Sequence, residues 1–303
     1  MEINNKTIAV IGSNSMVGSR FCELTNCSKL LKVDMNNEIP VDLTNPKSIE
    51  NLYKNYNFNT AILFSAFTDV DMAEKQRNKK GESCWQVNVV GSRHVIEASK
   101  KYARKLIFIS TDYVFDGQNG PYRENDSTRG ILKKVSWYGM SKIVAEENCE
   151  NILRDYIILR ISYPYRGKFI NKLDFAKQII KRYDEGTLYP MFTDQIITPT
   201  FIDDIAPAID LLINNNSTGI YHLASPQTVT PYEFARHLVS TFKKDPDQIK
   251  KTSINEYLKN SNSTPRPPKS ALNVEKISKE GFIPTNWQKG IEEIYKQSNG
   301  ELI

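Results

Sequence analysis

The sequence is poor in the residues that build metal sites and disulfide scaffolds. Its four cysteines, Cys22, Cys27, Cys84 and Cys149, form no CxxC pair, and its three histidines, His94, His222 and His237, are scattered rather than set at ligand spacing. Neither a zinc site nor a disulfide framework is expected, and the thiols read as reduced and structural. No stretch offers the roughly 18 consecutive apolar residues of a membrane span. The opening MEINNKTIAVIG lacks the basic, apolar, small-residue order of a signal peptide, so a cytoplasmic chain with no membrane partner is expected. Long basic runs are missing too. The net charge is +5, but Lys and Arg are spread along the chain, which fits anionic small molecules and makes nucleic acid an unexpected partner. There is no internal repeat and no low-complexity tract.

With 303 residues, 40% hydrophobic and 25% charged, the chain has the composition of a folded protein and room for one large α/β domain or two fused lobes. Apolar, β-rich runs alternate with helical patterns: TIAVIG (7–12), KLLKV (29–33), NTAILFSA (59–66), KLIFIS (105–110) and DYIILRIS (155–162). Continuous apolar strands separated by crossover helices, here at 46–56, about 82–102 and 138–151, predict a parallel sheet buried on both faces. A Rossmann-type doubly wound α/β domain over residues 1–162 follows. After Ser162, Pro164, Gly167, Pro190, Pro199, Pro226 and Pro231 punctuate shorter elements, among them FAKQIIKRYDEG, PYEFARHLVSTF and NWQKGIEEIYKQ. Residues 163–303 read as a smaller substrate-binding lobe, some of whose segments return to the first domain.

The first strand runs into GSNSMVG, Gly12 to Gly18, and then into a helical pattern. A glycine turn at a strand's carboxyl end lets backbone approach a pyrophosphate, and the next helix's first turn offers unpaired N–H groups and partial positive charge. The middle glycine is replaced by Ser15, which fits provided its φ is not positive. Asp34 ends the second strand, where an acid meets the adenosine ribose hydroxyls; the alternative is a solvated turn acid. An acid there favours NADH, Lys32 nearby tolerates a phosphate, and NADPH or NADH both stay open. Asp42 and Leu43, in VDLTNP, either flank an adenine or form an ordinary helix lead-in with Thr44 as N-cap before Pro46.

KLIFISTDYVFDG puts Ser110 and Thr111 at the carboxyl end of a buried strand, where open α/β sheets bind ligands. Beyond it, WYGMSKIVAEE sets Tyr138 and Lys142 at i, i+4, side by side on one helix face. A phenol with a reference pKa near 10 exchanges protons poorly at neutral pH, and an adjacent ammonium lowers it. In isolation a solvated helix face explains YxxxK better. A glycine turn after strand one, a hydroxyl pair ending a later strand and YxxxK opening the next helix, in that order, favour chemistry.

With STDYVFDG (110–117), PYRENDST (121–128), YGMSK (138–142), DQIITPTFIDDIA (194–206), GIYHLASPQTVTPYEFAR (219–236) and RPPKSALNVEKI (266–277), the chain resembles the extended short-chain dehydrogenase/reductases, and within them the dTDP-4-dehydrorhamnose reductases. The resemblance implies a domain binding NADPH or NADH and a lobe closing over a nucleotide sugar. It makes Tyr138 the proton donor to the keto oxygen, Lys142 the holder of the nicotinamide ribose and tuner of the tyrosine, and Thr111 the ligand of the reacting oxygen. It sets Ser15, Met16 and Val17 at the pyrophosphate, Asp42 and Leu43 at the adenine, Ala66, Phe67 and Thr68 beside the middle of the cofactor, and Asp112 against the sugar. A homodimer is the assembly it allows.

The chain departs from the family pattern at several points. Phe67 stands for a histidine and Tyr163 for a tryptophan near the sugar. Arg20 stands where some members have a metal-ligating glutamate, so no metal is carried over. The segment from Asp126 to Tyr138 is longer than usual and reads STRGILKKVSW, which is expected to bring Arg129, Lys133 and Lys134 close to the site, either as a solvated basic loop or against an acidic group of an altered substrate. Two other functions remain open: a non-catalytic regulatory protein like the regulatory subunit of methionine adenosyltransferase, and a nucleotide-sugar epimerase or dehydratase.

Overall fold

In a computed structural model, which describes residues 3, 6–260 and 262–303, the apolar runs pair as neighbours in one parallel sheet. Its strands are β1 (Thr7–Ile11), β2 (Lys29–Asp34), β3 (Ile39–Pro40), β4 (Thr60–Leu63), β5 (Lys105–Thr111), β6 (Tyr156–Ile161) and, past a two-residue β7 (Met191–Phe192), β8 (Gly219–His222). The order is β3-β2-β1-β4-β5-β6-β8, every pairing parallel, while β7 pairs only with β9 (Lys251–Thr252). The helices that matter for the site are α1 (Met16–Leu24), α2 (Pro46–Asn55), α3 (Val70–Lys75), α4 (Ser83–Trp85), α5 (Ser92–Lys101), α6 (Trp137–Ile152), α7 (Phe175–Asp184), α8 (Ile205–Asn214) and α9 (Pro231–Thr241).

Successive side chains of a strand point to opposite faces, and β1 feeds two cores in this way. Ile8 and Val10 join Phe21, Ile62 and Ile209 on one face, whereas Ala9 and Ile11 join Ile49, Leu52 and Val95 on the other. A sheet apolar on both sides has to be covered on both sides. A third cluster, with Tyr165, Phe234, Trp287 and Ile291, packs the second half of the chain.

The structure revises the sequence reading in several places. The strand expected at 59–66 is four residues long, and the edge strands β3 and β8 were not expected. The helix expected over 82–102 is interrupted by a π-helical segment, Gln86–Gly91, a distortion common at functional sites. The N-cap of α2 is Asn45, not Thr44: its side chain accepts from Lys47 N at 3.1 Å, with Pro46 at the first helical position.

The glycine turn is as tight as the motif suggests. Gly12 sits at φ +91°, and a Cβ there would lie 2.5 Å from the backbone nitrogen of Ser65. Ser15 has φ −67°, needs no glycine, and instead caps α1 by accepting from Gly18 N at 3.0 Å. Gly12→Ala is therefore expected to cost about 2–4 kcal/mol through left-handed strain and overlap. Thermal unfolding and a dinucleotide titration check it; a wild-type midpoint with wild-type affinity would show that the turn relaxes freely.

Candidate active site

The carboxyl ends of β1, β2, β4 and β5 carry the residues singled out in the sequence, at one edge of the sheet. Met16 and Val17 open α1, half-buried. The carboxylate of Asp34 already accepts from two backbone amides, Asn14 N at 3.0 Å and Met35 N at 2.8 Å. Asp42 accepts from Thr44, through its amide at 2.8 Å and its hydroxyl at 2.7 Å; Leu43 is buried, and its carbonyl lies 2.8 Å from His94 Nδ1. Beyond β4, Ala66 and Phe67 are half-buried and Thr68 is exposed, its hydroxyl accepting from Lys172.

Tyr138 and Lys142 sit on the first two turns of α6, which Ser136 caps by accepting from Gly139 N at 3.1 Å. Glycine follows the tyrosine because a Cβ at 139 would lie 2.3 Å from Tyr113 O, so only glycine lets the helix press this close to the end of β5. Tyr138 is 8% exposed and Lys142 3%. Tyr113 meets the Tyr138 ring edge-on at 5.9 Å, and Phe67 and Tyr163 pack against the same cluster. Thr111 is buried beside them, its hydroxyl donating to Asp112 at 3.2 Å.

Burial dominates the electrostatics. It pushes the Tyr138 phenol above its ordinary value, with the Thr111 hydroxyl opposing. It brings Lys142 down to about 7, with Glu146 opposing. The Lys142 ammonium donates to Ile109 O at 2.7 Å and lies 4.0 Å over the Phe108 ring. The lowering of the phenol expected from an i, i+4 ammonium is thus not what the folded site produces, since a dry pocket disfavours both charged forms. Asp112, 1% exposed, is pushed up to about 6 by burial; Ser270, Ser162 and Thr111 hold the shift in check. The hydroxyls of Ser162 and Ser270 face this carboxyl without closing on it, and Asp112 Oδ2 has no partner among the described residues.

Tyr163 adopts φ +41°, a strained value for a tyrosine, and its hydroxyl accepts from Gln195 Nε2 at 3.1 Å. Arg266 spans the same wall, 3.2 Å from the Tyr113 hydroxyl and paired with Asp71 at 2.8 Å. The basic insertion points elsewhere. Arg129, Lys133 and Lys134 are exposed; Arg129 acts on Glu150, three turns along α6 from Tyr138, and Lys134 Nζ lies 3.8 Å from Asp116. Ile131 and Leu132 anchor the loop on the core, which turns its charges to solvent. Arg20, where a metal ligand was considered, donates to both oxygens of Asp203 at 2.7 and 2.6 Å.

Sequence reasoning missed Asn88. Buried in the π segment, it accepts from Phe67 N at 2.8 Å and donates to Phe67 O at 2.9 Å and Ser141 Oγ at 3.0 Å, fastening the loop after β4 to α6. It also missed Tyr113, Gln195 and Arg266, which lie within quoted motifs but whose partners are scattered in sequence. The tight Gly12 turn, the first turn of α1 beside it, and Phe67 pinned with its side next to Tyr138 fit an extended dinucleotide.

A family model described as the RmlD substrate binding domain matches residues 6–299. Among curated proteins, the spore coat polysaccharide biosynthesis protein SpsK of Bacillus subtilis is 26% identical, covering 96% of this chain and 97% of its own. The dTDP-4-dehydrorhamnose reductase of Aggregatibacter actinomycetemcomitans is 30% identical over 84% of this chain and 86% of its own. The crystal structure of the Bacillus anthracis dTDP-4-dehydrorhamnose reductase in complex with NADP superposes with a TM-score of 0.84 at 26% identity, covering 98% of this chain and 100% of that one. Fold and site thus define an NAD(P)H-dependent nucleotide-sugar reductase of the short-chain dehydrogenase/reductase class. Within that class, the chain belongs to the RmlD family, that of the dTDP-4-dehydrorhamnose reductases. Among the described residues, no helix is long and apolar enough to cross a membrane.

Proposed function

We propose that this protein reduces the 4-keto group of a nucleotide-linked 6-deoxy sugar, converting dTDP-4-dehydrorhamnose to dTDP-rhamnose for surface polysaccharide precursors. The observation that carries the reading is the joint burial of Tyr138, Lys142 and Thr111 at the end of β5. A phenol held above its ordinary pKa keeps its proton at neutral pH, which suits an acid that gives a proton to a carbonyl oxygen. When bound, the dihydronicotinamide supplies the hydride to the carbonyl carbon. Tyr138 then donates its proton to the oxygen, Thr111 hydrogen-bonds that oxygen, and Lys142, beside the nicotinamide ribose, offers positive charge to the phenolate left behind.

In this reading residues 1–162 bind the cofactor and 163–303 the sugar nucleotide. Gly12, Ser15, Met16, Val17 and Gly18 hold the pyrophosphate, Asp34 the adenosine ribose, Asp42 and Leu43 the adenine, and Ala66, Phe67 and Thr68 the middle of the cofactor. Asp112 and Tyr163 belong to the sugar side. Since Asp112 is buried with one oxygen unpaired, its share is to orient Thr111 and the wall behind the sugar.

The test is a panel of dTDP-, UDP- and GDP-linked 4-keto-6-deoxy sugars with NADPH and NADH, scored by loss of dihydronicotinamide absorbance against sugar product. One cofactor consumed per sugar reduced is expected, with dTDP-4-dehydrorhamnose the best substrate. Product without net loss of cofactor would make the protein an epimerase or dehydratase, and cofactor binding with no turnover of any sugar would make it a regulatory subunit.

A further inference from the structure

Behind the Tyr138–Lys142 pair lies a charge network that the reaction as derived leaves unused. Glu146 follows Lys142 by one turn of α6. Its carboxylate takes three donors: Arg160 Nε at 3.0 Å, Arg160 Nη2 at 2.7 Å and the Ser110 hydroxyl. The Glu146 and Arg160 side chains are each 2% exposed. The Arg160 guanidinium also lies 5.0 Å from the Phe115 ring centre and 3.3 Å from His222 Nε2. His222 Nδ1 is 3.1 Å from the carbonyl of Asn273, so the proton sits on Nδ1 and Nε2 accepts from Arg160. Burial and the neighbouring Arg160 keep the imidazole neutral.

A buried ion pair is weak as a stabilising device, because the desolvation of two charges offsets much of their attraction. Its place in the fold suggests another use. Three consecutive residues of β5 address the site: Ile109 accepts from Lys142 through its carbonyl, Ser110 donates to Glu146, and Thr111 stands beside Tyr138. The groups facing Lys142 are few. From α6 come Tyr138 and Glu146, from α4 Cys84, and from β5 the Phe108 ring and the Ile109 carbonyl; Arg160 of β6 and His222 of β8 stand behind Glu146. Asp112 acts on Tyr138. Burial raises the pKa of both Cys84 and Tyr138, so both are neutral near pH 7. Glu146 is the anion left to balance the lysine.

We propose that Glu146, clamped by Arg160 and Ser110, is a positioning residue for the reaction, its carboxylate the counter-charge that holds the Lys142 ammonium in an otherwise dry site. The inference rests on the reading that Tyr138 and Lys142 carry the proton transfer. Arg160 and His222 fix where Glu146 points and how much of its charge reaches Lys142. Removing the carboxylate leaves burial unopposed, and Lys142 then gives up its proton at lower pH.

The direct test follows the ionisation of Lys142 by NMR in the full chain carrying isotope-labelled lysine, with the resonance assigned by its disappearance in Lys142→Arg. In Glu146→Gln the Lys142 midpoint is expected to fall by at least about one pH unit, a tenfold change in its ionisation constant. The pH profile of kcat for keto-sugar reduction should move by the same amount. Glu146→Asp, which keeps the charge but draws it back by one methylene, should lower the midpoint by a smaller but measurable amount and move the kcat profile with it. If Glu146→Gln does not fold, Glu146→Asp answers alone, since moving the carboxylate back by one methylene should still lower the midpoint measurably. An unchanged Lys142 midpoint in a folded variant overturns the proposal. If the wild type reduces no keto sugar, the preceding reading fails instead, and the Lys142 titration still reports whether Glu146 sets its charge.

Discussion

Tyr138→Phe is expected to lose about 10²–10⁴-fold in kcat, the range for removal of a positioned general acid, while binding the dinucleotide as the wild type does. The asymmetry follows from what the substitution leaves alone. The Tyr138 ring is 8% exposed and packs edge-on against Tyr113 at 5.9 Å, contacts that phenylalanine reproduces. Only the hydroxyl near Thr111 disappears, and with it the proton. Single-turnover oxidation of NADPH beside a thermal melt checks both halves of the statement. Full turnover with an unchanged melt would remove Tyr138 from the mechanism.

The second large effect has two signs at once. Lys142→Met should abolish turnover yet raise the free energy of unfolding at neutral pH by about 1–3 kcal/mol once the lost bond to Ile109 O is subtracted. The folded state lowers the lysine pKa from 10.5 to about 7. Between those values the unfolded chain holds a proton that the folded chain has released, so the wild type loses stability as pH falls from 10.5 to 7. Methionine has no such proton. The variant's advantage should therefore be full near pH 7 and vanish above 10.5, where both states of the wild type carry neutral lysine. Melts across that window decide it; a variant less stable than wild type at neutral pH would show that the buried ammonium is well accommodated.

The legible parts of the fold were those written in local pattern. Strands apolar along their whole length, such as Ile8 to Ile11 and Leu106 to Phe108, announced a sheet covered on both faces, and the glycine turn and YxxxK fall beside the carboxyl ends of β1 and β5. What local pattern cannot carry is burial and direction. GIYH was unreadable as a strand because its first two residues are half-buried and it pairs only with distant β6. The π segment exists because Asn88 bonds across to Phe67 and Ser141, partners 21 and 53 residues away. Tyr138 and Lys142 do share the first two turns of α6, but spacing is silent on dielectric, and the dry site reverses the shift expected for the phenol. The direction of Arg129 and Lys134 depended on Ile131 and Leu132 finding the core, which no charge count reveals.

The edge strand β8 also bears on how such a chain can be inherited. Its four residues close the outer rim of β6 from Ile157 to Arg160, and His222 at its end braces Arg160. A fragment cut after residue 162 would present a raw, apolar strand edge, the kind of surface that recruits other chains, and would leave a buried guanidinium short of an acceptor. The cofactor domain read at 1–162 is therefore not a severable piece, and β8 is one of the later segments that return to it. Recombination between members of this family should succeed when it exchanges loops around the cleft and fail when it trades one half for another, because the stitch that completes the first half is carried by the second.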